Sequence, residues 1–125
     1  MYKCVMKRHL CIDNENRQEM NKIIELVNRK SKKFETIIER TLTNNFLYWE
    51  NYNKEYINNK AVNITAIKFM DVDNDRIYCK EVKDAFGNLY IIMILTVKKK
   101  VQKNNKSINS LINKISSYEY ENPQS

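Results

Sequence analysis

Leu89-Tyr90-Ile91-Ile92-Met93-Ile94-Leu95-Thr96-Val97 runs without a break into Lys98-Lys99-Lys100-Val101-Gln102-Lys103-Asn104-Asn105-Lys106, and this stretch decides how the chain is read. Its first part is almost wholly apolar and rich in β-branched side chains. Such a run predicts a strand buried on both faces, since polar alternation is expected only where one face meets water. Its length is about half that of a membrane-crossing helix. Between Asp84 and Glu119 there is no acidic residue, and six lysines (98, 99, 100, 103, 106 and 114) fall in that interval. The chain has 22 basic and 15 acidic side chains; without those six, 16 would face 15, and the net charge of +7 would fall to +1. The positive charge is thus concentrated at the exit of one rigid element. That is what a polyanion-binding surface needs, because neutralised phosphates release condensed counterions. A solvated lysine loop is the plainer account. The abrupt junction between core strand and lysines favours binding.

Outward from this strand, Asp84-Ala85-Phe86-Gly87-Asn88 predicts a hairpin turn with Gly87 at a positive φ. Residues 76–82 form the strand before it and flank the apolar strand, which should lie inside the sheet. Asp71 to Asp75 reads as a turn, and residues 61–70 as a strand whose phase changes near Ala66-Ile67, as at a bulge. The aromatic stretch Phe46 to Tyr56 is ambiguous between a helix end and a loop. Met20, Ile23, Ile24 and Val27, then Phe34, Ile37, Ile38 and Leu42, mark two amphipathic helices within 17–43 that pack on one sheet face. Asp13 to Asn16 supplies the turn and cap before them, after a first strand over 2–12. Arg29, Lys30, Lys32 and Lys33 at the helical joint form a second, weaker basic patch. Ile108, Leu111, Ile112 and Ile115 predict a short C-terminal helix capped by Asn104 or Asn105. The order β-α-α-β-β-β-α gives an α+β fold with a mostly antiparallel sheet.

Size and composition set outer limits. A chain of 125 residues fits one domain, 1–125, with 121–125 as a frayed tail. Charged residues make up 30 % of it, which argues against an integral membrane protein, and residues 1–9 hold no apolar secretion signal. Three cysteines (Cys4, Cys11, Cys79) without scaffold spacing point to a reduced, cytoplasmic compartment. Gly87 and Pro123 are the only glycine and proline, which excludes glycine-rich phosphate-binding loops.

Metal chemistry finds little support. Asp71-x-Asp73-x-Asp75 alternates like a calcium loop but lacks the glycine and the distal glutamate, Val82 standing in its place; a solvated turn is expected. Cys4 falls on the strand face opposite His9 and Cys11, so no zinc site is expected, and His9, the only histidine, is assigned a structural or surface role. Arg76, Tyr78 and Lys80 alternate with Ile77, Cys79 and Glu81. If the second set faces the core, the first lines an open face beside the lysines. Arg, Lys and Tyr without a metal can cleave RNA by activating a 2′-hydroxyl, stabilising the phosphorane and protonating the leaving oxygen. Crowded ammonium groups lower one another's pKa, so that one lysine could act as base. A polar sheet face without chemistry remains the competing account.

Arg76-Ile77-Tyr78-Cys79, the hairpin, Leu89 to Val97, Lys98-Lys99-Lys100-Val101-Gln102-Lys103-Asn104 and the closing helix together resemble the C-terminal half of RelE/ParE-type toxins of bacterial toxin–antitoxin systems, particularly the HigB-like branch. The resemblance covers about residues 61–118 and is architectural before them. It implies a small twisted sheet with an N-terminal helical hairpin and a metal-independent endoribonuclease without cofactor. It also implies mRNA and the ribosome as targets and a cognate antitoxin as partner. Arg76 then matches the arginine that contacts the scissile phosphate, and Lys98, Lys99, Lys100 and Lys103 match the basic, catalytic stretch. Gln102 matches its glutamine, and Tyr78, Lys80 and Lys106 are expected to touch RNA. The family's glycine before the basic stretch is absent, no histidine lies nearby, and its C-terminal tyrosine matches Tyr118 or Tyr120 only loosely. ParE-like members act on gyrase, so a non-catalytic nucleic-acid- or protein-binding inhibitor stands as the alternative.

Overall fold

The computed structural model describes residues 7–55, 63–98 and 106–120. The fold is α+β. Its strands are β1 (Lys7–Ile12), β2 (Tyr52–Lys54), β3 (Ile64–Lys68), β4 (Asp75–Lys83) and β5 (Asn88–Lys98). Its helices are α1 (Arg17–Arg29), α2 (Ser31–Thr43) and α3 (Lys106–Ser116). The sheet runs β1-β5-β4-β3-β2. β5 is interior as expected, antiparallel to β4 and parallel to β1, so the sheet is mixed. A parallel neighbour cannot be reached by a tight hairpin. The chain leaves β1 through α1 and α2 and returns beside it only after three antiparallel strands.

The apolar run of β5 is explained by two cores. Leu89, Ile91 and Met93 face the α1–α2 side with Ile23, Leu26, Phe34 and Ile37. Ile92, Ile94 and Leu95 face α3 with Ile108, Ile112 and Ile115. Both faces of β5 are therefore covered, and alternation disappears from its sequence. β3 is covered in the same way: Ile64 and Ala66 belong to the α3 side and Ile67 to the other. The apparent phase change at Ala66-Ile67 reflects this double burial, and β3 pairs regularly with both neighbours. The bulge lies in β5 instead. Tyr78 pairs with Leu95 and Cys79 with Met93, which leaves Ile94 as the extra residue.

Local chemistry sets the ends of elements. Asn16 caps α1, its Oδ1 accepting the Glu19 N–H at 3.2 Å. Helix periodicity breaks only at Lys30 (φ −118°, ψ 38°), which joins α1 to α2. Gly87 has φ +85°, and Asp84 Oδ1 accepts the Phe86 and Asn88 N–H groups at 2.9 Å each, so the hairpin forms as its sequence predicts. The aromatic stretch is neither helix end nor plain loop. Trp49 and Tyr52 exchange backbone hydrogen bonds, and Tyr52 to Lys54 becomes the edge strand β2. Three residues are too few to show a period, which hides this strand in the sequence. Residues 2–6, Cys4, the cap at Asn104 or Asn105 and the tail 121–125 lie outside the described residues.

Candidate nucleic-acid interface

The lysine-rich stretch begins at the end of β5. Lys98 is its first member, with a side chain 58 % exposed and Nζ 3.7 Å from Asp73 Oδ1. Lys99, Lys100, Gln102 and Lys103 lie outside the described residues. The chain re-enters at Lys106, exposed at the first position of α3, and Lys114 is exposed on the same helix. The positive stretch is thus held between an interior strand and a helix packed on that strand's sheet.

The strand face assigned to RNA chemistry is not open. α3 covers it, because Ile108, Ile112 and Ile115 need an apolar partner and find it in Ile64, Ala66, Tyr78 and β5. Tyr78 is wholly buried there, so stacking on a base does not fit its position. Burial pushes its phenol up to about 12, helped by Glu55 and opposed by nearby Arg76. Its hydroxyl and the Arg76 Nε have no hydrogen-bond partner among the described residues. Arg76 sits 3.4 Å from Glu55 Oε1 with a side chain only 12 % exposed. Lys80 donates to the carbonyls of Ser116 and Tyr118 and so closes the C-terminal end of α3. The opposite set, Ile77, Cys79 and Glu81, faces the α1–α2 side as expected.

Two residues unread in the sequence complete this face. Glu55 draws in Lys68, at 3.6 Å, as well as Arg76. Burial lowers the Lys68 pKa, Arg76 lowers it further, and Glu55 opposes both. Lys68, Arg76 and Tyr78 thus gather the residue types of metal-free RNA cleavage, but both cations share the Glu55 carboxylate and Tyr78 is buried under α3. Register alone could have hinted at it, since Lys68 and Arg76 are cross-strand partners.

The acidic turn is also unlike its expected solvated form. Lys30 Nζ lies 2.8, 3.2 and 2.7 Å from carboxylate oxygens of Asp71, Asp73 and Asp75. Burial disfavours the ammonium, yet its hydrogen bonds to the three aspartates raise its pKa overall. The ammonium occupies the position a metal ion would take among these ligands. Lys30 is therefore withdrawn from the basic patch at the helical joint, and Lys33, 4.0 Å from Asp71, is partly engaged.

Elsewhere, His9 stacks on Tyr90 at 5.0 Å between ring centroids and meets Asn88 Oδ1 at 3.2 Å, in keeping with a structural or surface role. Tyr120 donates to Asp13 Oδ2 at 2.6 Å, so its hydroxyl is engaged beyond the end of β1. No helix among the described residues is long and apolar enough to cross a membrane. Comparison with protein families, curated proteins and solved structures finds no match.

Proposed function

We propose that the protein is a nucleic-acid-binding inhibitor, with RNA as its ligand, that acts by clamping the polyanion with Lys98, Lys99, Lys100, Lys103 and Lys106 rather than by cutting it. The observation that carries this reading is the fate of the strand residues. Tyr78 is buried, Arg76 is paired with Glu55, and Lys80 is spent on α3. Among the described residues of the 84–119 interval, Lys106 and Lys114 on the exposed face of α3 are open to phosphates, and the lysine stretch links that helix to β5. Phosphate contacts of this kind supply affinity without sequence readout.

A second reading keeps the toxin resemblance in full: a RelE/ParE-like endoribonuclease acting on mRNA at the ribosome and held in check by an antitoxin. The juxtaposition of Lys68, Arg76 and Tyr78 favours it. One experiment separates the two. The purified protein is mixed with labelled single-stranded RNA, alone and on ribosomes, and bound fraction and RNA length are read together. Binding with intact RNA supports the clamp. Shortened RNA that stays intact with a folded Arg76→Ala protein supports the nuclease and overturns the clamp.

A further inference from the structure

β1 is an edge strand, with β5 on one side and no partner for its other edge among the described residues. The Asp13 N–H donates to the Met93 carbonyl at 2.8 Å, on the β5 side. Backbone groups alternate along a strand, so Lys7, His9 and Cys11 also point their N–H and C=O toward β5. Arg8, Leu10 and Ile12 then point theirs outward. Side chains alternate as well: Leu10 and Ile12 lie on the α1–α2 side and Cys11 on the α3 side. A groove of about 310 Å³ lined by Leu10, Ile12, Ile24, Val27 and Phe34 runs beside the strand.

Charge along the edge is uneven. Lys7 and Arg8 stand at its start. Beyond its end opens a cleft of about 480 Å³ lined by Cys11, Asp13, Glu15, Glu119 and Tyr120, with no basic side chain in its lining. Arg8 is engaged with the Thr41 carbonyl at 2.7 Å, which leaves Lys7 exposed and uncommitted to any partner among the described residues.

We propose that two copies of this chain associate through antiparallel pairing of their β1 edges, with Leu10 on the two-fold axis and Lys7 of each copy seated at the acidic cleft of the other. The register follows from the strand itself. With Leu10 opposite Leu10, the outward backbone groups meet: Leu10 exchanges both its hydrogen bonds across the axis, and Arg8 does so with Ile12 of the second copy. Opposed residues in an antiparallel pair share a face, so Lys7 falls opposite Asp13 and His9 opposite Cys11. The contact is isologous and closes on itself, giving a continuous sheet across the dimer and removing the exposed edge. The partner is specified by charge: a strand basic at one end and acidic at the other is complementary to itself when reversed.

The test is sedimentation equilibrium over a dilution series, with circular dichroism to confirm folding. Wild-type protein is expected to dimerise. Lys7→Glu should weaken the dimer by about tenfold, since two symmetric pairs become repulsive. Combining Lys7→Glu with Glu15→Lys and Glu119→Lys should restore it, because the exchanged charges face each other again. In a Cys4→Ser background, His9→Cys should cross-link to Cys11 of the second copy on mild oxidation, while the parent without the new cysteine should not. A monomeric wild type at all concentrations, or a folded Lys7→Glu protein that dimerises as tightly as wild type, would overturn the proposal. So would the absence of cross-links in the folded His9→Cys protein.

Discussion

At the scale of single residues, two charges that gather polar partners bear on stability: Lys30, half-buried, and Glu81, buried. Lys30 holds Asp71, Asp73 and Asp75 together by offsetting their mutual repulsion; without the ammonium, carboxylate oxygens within 4.8 Å of one another would repel. Lys30→Met is expected to lower the urea midpoint, because it leaves the three carboxylates of the turn without their shared cation. The sequence shows four basic residues at the helical joint but not that Lys30 turns inward, since its partner Asp71 is 41 positions away. Glu81 is the second such charge. It accepts Tyr48 and Tyr52 hydroxyls at 2.6 and 2.7 Å, and Thr65 donates to the Tyr52 oxygen at 2.9 Å. Tyr52→Phe should destabilise by about 2 kcal/mol, because it leaves a Glu81 oxygen buried without its donor. Carboxylates held below their ordinary range set the acid response. Asp71 is held low by Lys30 against its own burial, Asp73 by Lys30, and Asp84 falls to about 2, chiefly through Asn88. Depressed carboxylates stabilise above their unfolded pKa of about 4 and lose that stabilisation as they protonate. Urea midpoints should therefore hold steady between neutral pH and about pH 4 and fall between about 4 and 2. A midpoint independent of pH across that interval would contradict this account.

At the scale of elements, what was legible followed burial. A strand covered on both sides, two stripes of helical period and a glycine turn each leave a pattern, and β5, α1, α2 and the 84–88 hairpin stand where their sequences place them. β2 left none, because its strand character comes from pairing with β3 rather than from its own three residues. The open face failed for a different reason. Tyr78 looks polar in sequence, yet it becomes core once Ile108, Ile112 and Ile115 settle on it. α3 thus decides the fate of the predicted site. Lys80 anchors its C-terminal end, so Lys80→Met should speed amide exchange in the last turn of α3 while leaving β4 protected. At the hairpin, a Cβ on Gly87 would meet no atom within 4 Å, but its φ of +85° disfavours any L side chain. Gly87→Ala should cost about 1 kcal/mol in equilibrium unfolding without altering strand register.

At the scale of the whole molecule, charge is the dominant asymmetry. Six lysines between Asp84 and Glu119 account for nearly all of the net +7; of the described ones, Lys98 ends β5 and Lys106 and Lys114 stand on α3. That concentration was legible in the sequence; the covering of Tyr78 and the engagement of Lys80 were not, because they depend on where α3 packs. Lys98 stands beside Asp73, so its field is partly cancelled before any ligand arrives. Lys98→Ala should accordingly change RNA affinity less than Lys106→Ala. The most direct test of the clamp is the salt dependence of single-stranded RNA binding, measured for wild type and for a folded variant with alanine at Lys98, Lys99, Lys100, Lys103 and Lys106. Each phosphate contact contributes about 0.7 to the slope of log affinity against log salt. The clamp predicts a slope shallower by about 3.5 in the variant, with RNA intact throughout. An unchanged slope, or RNA shortened by wild type and spared by Arg76→Ala, would contradict it.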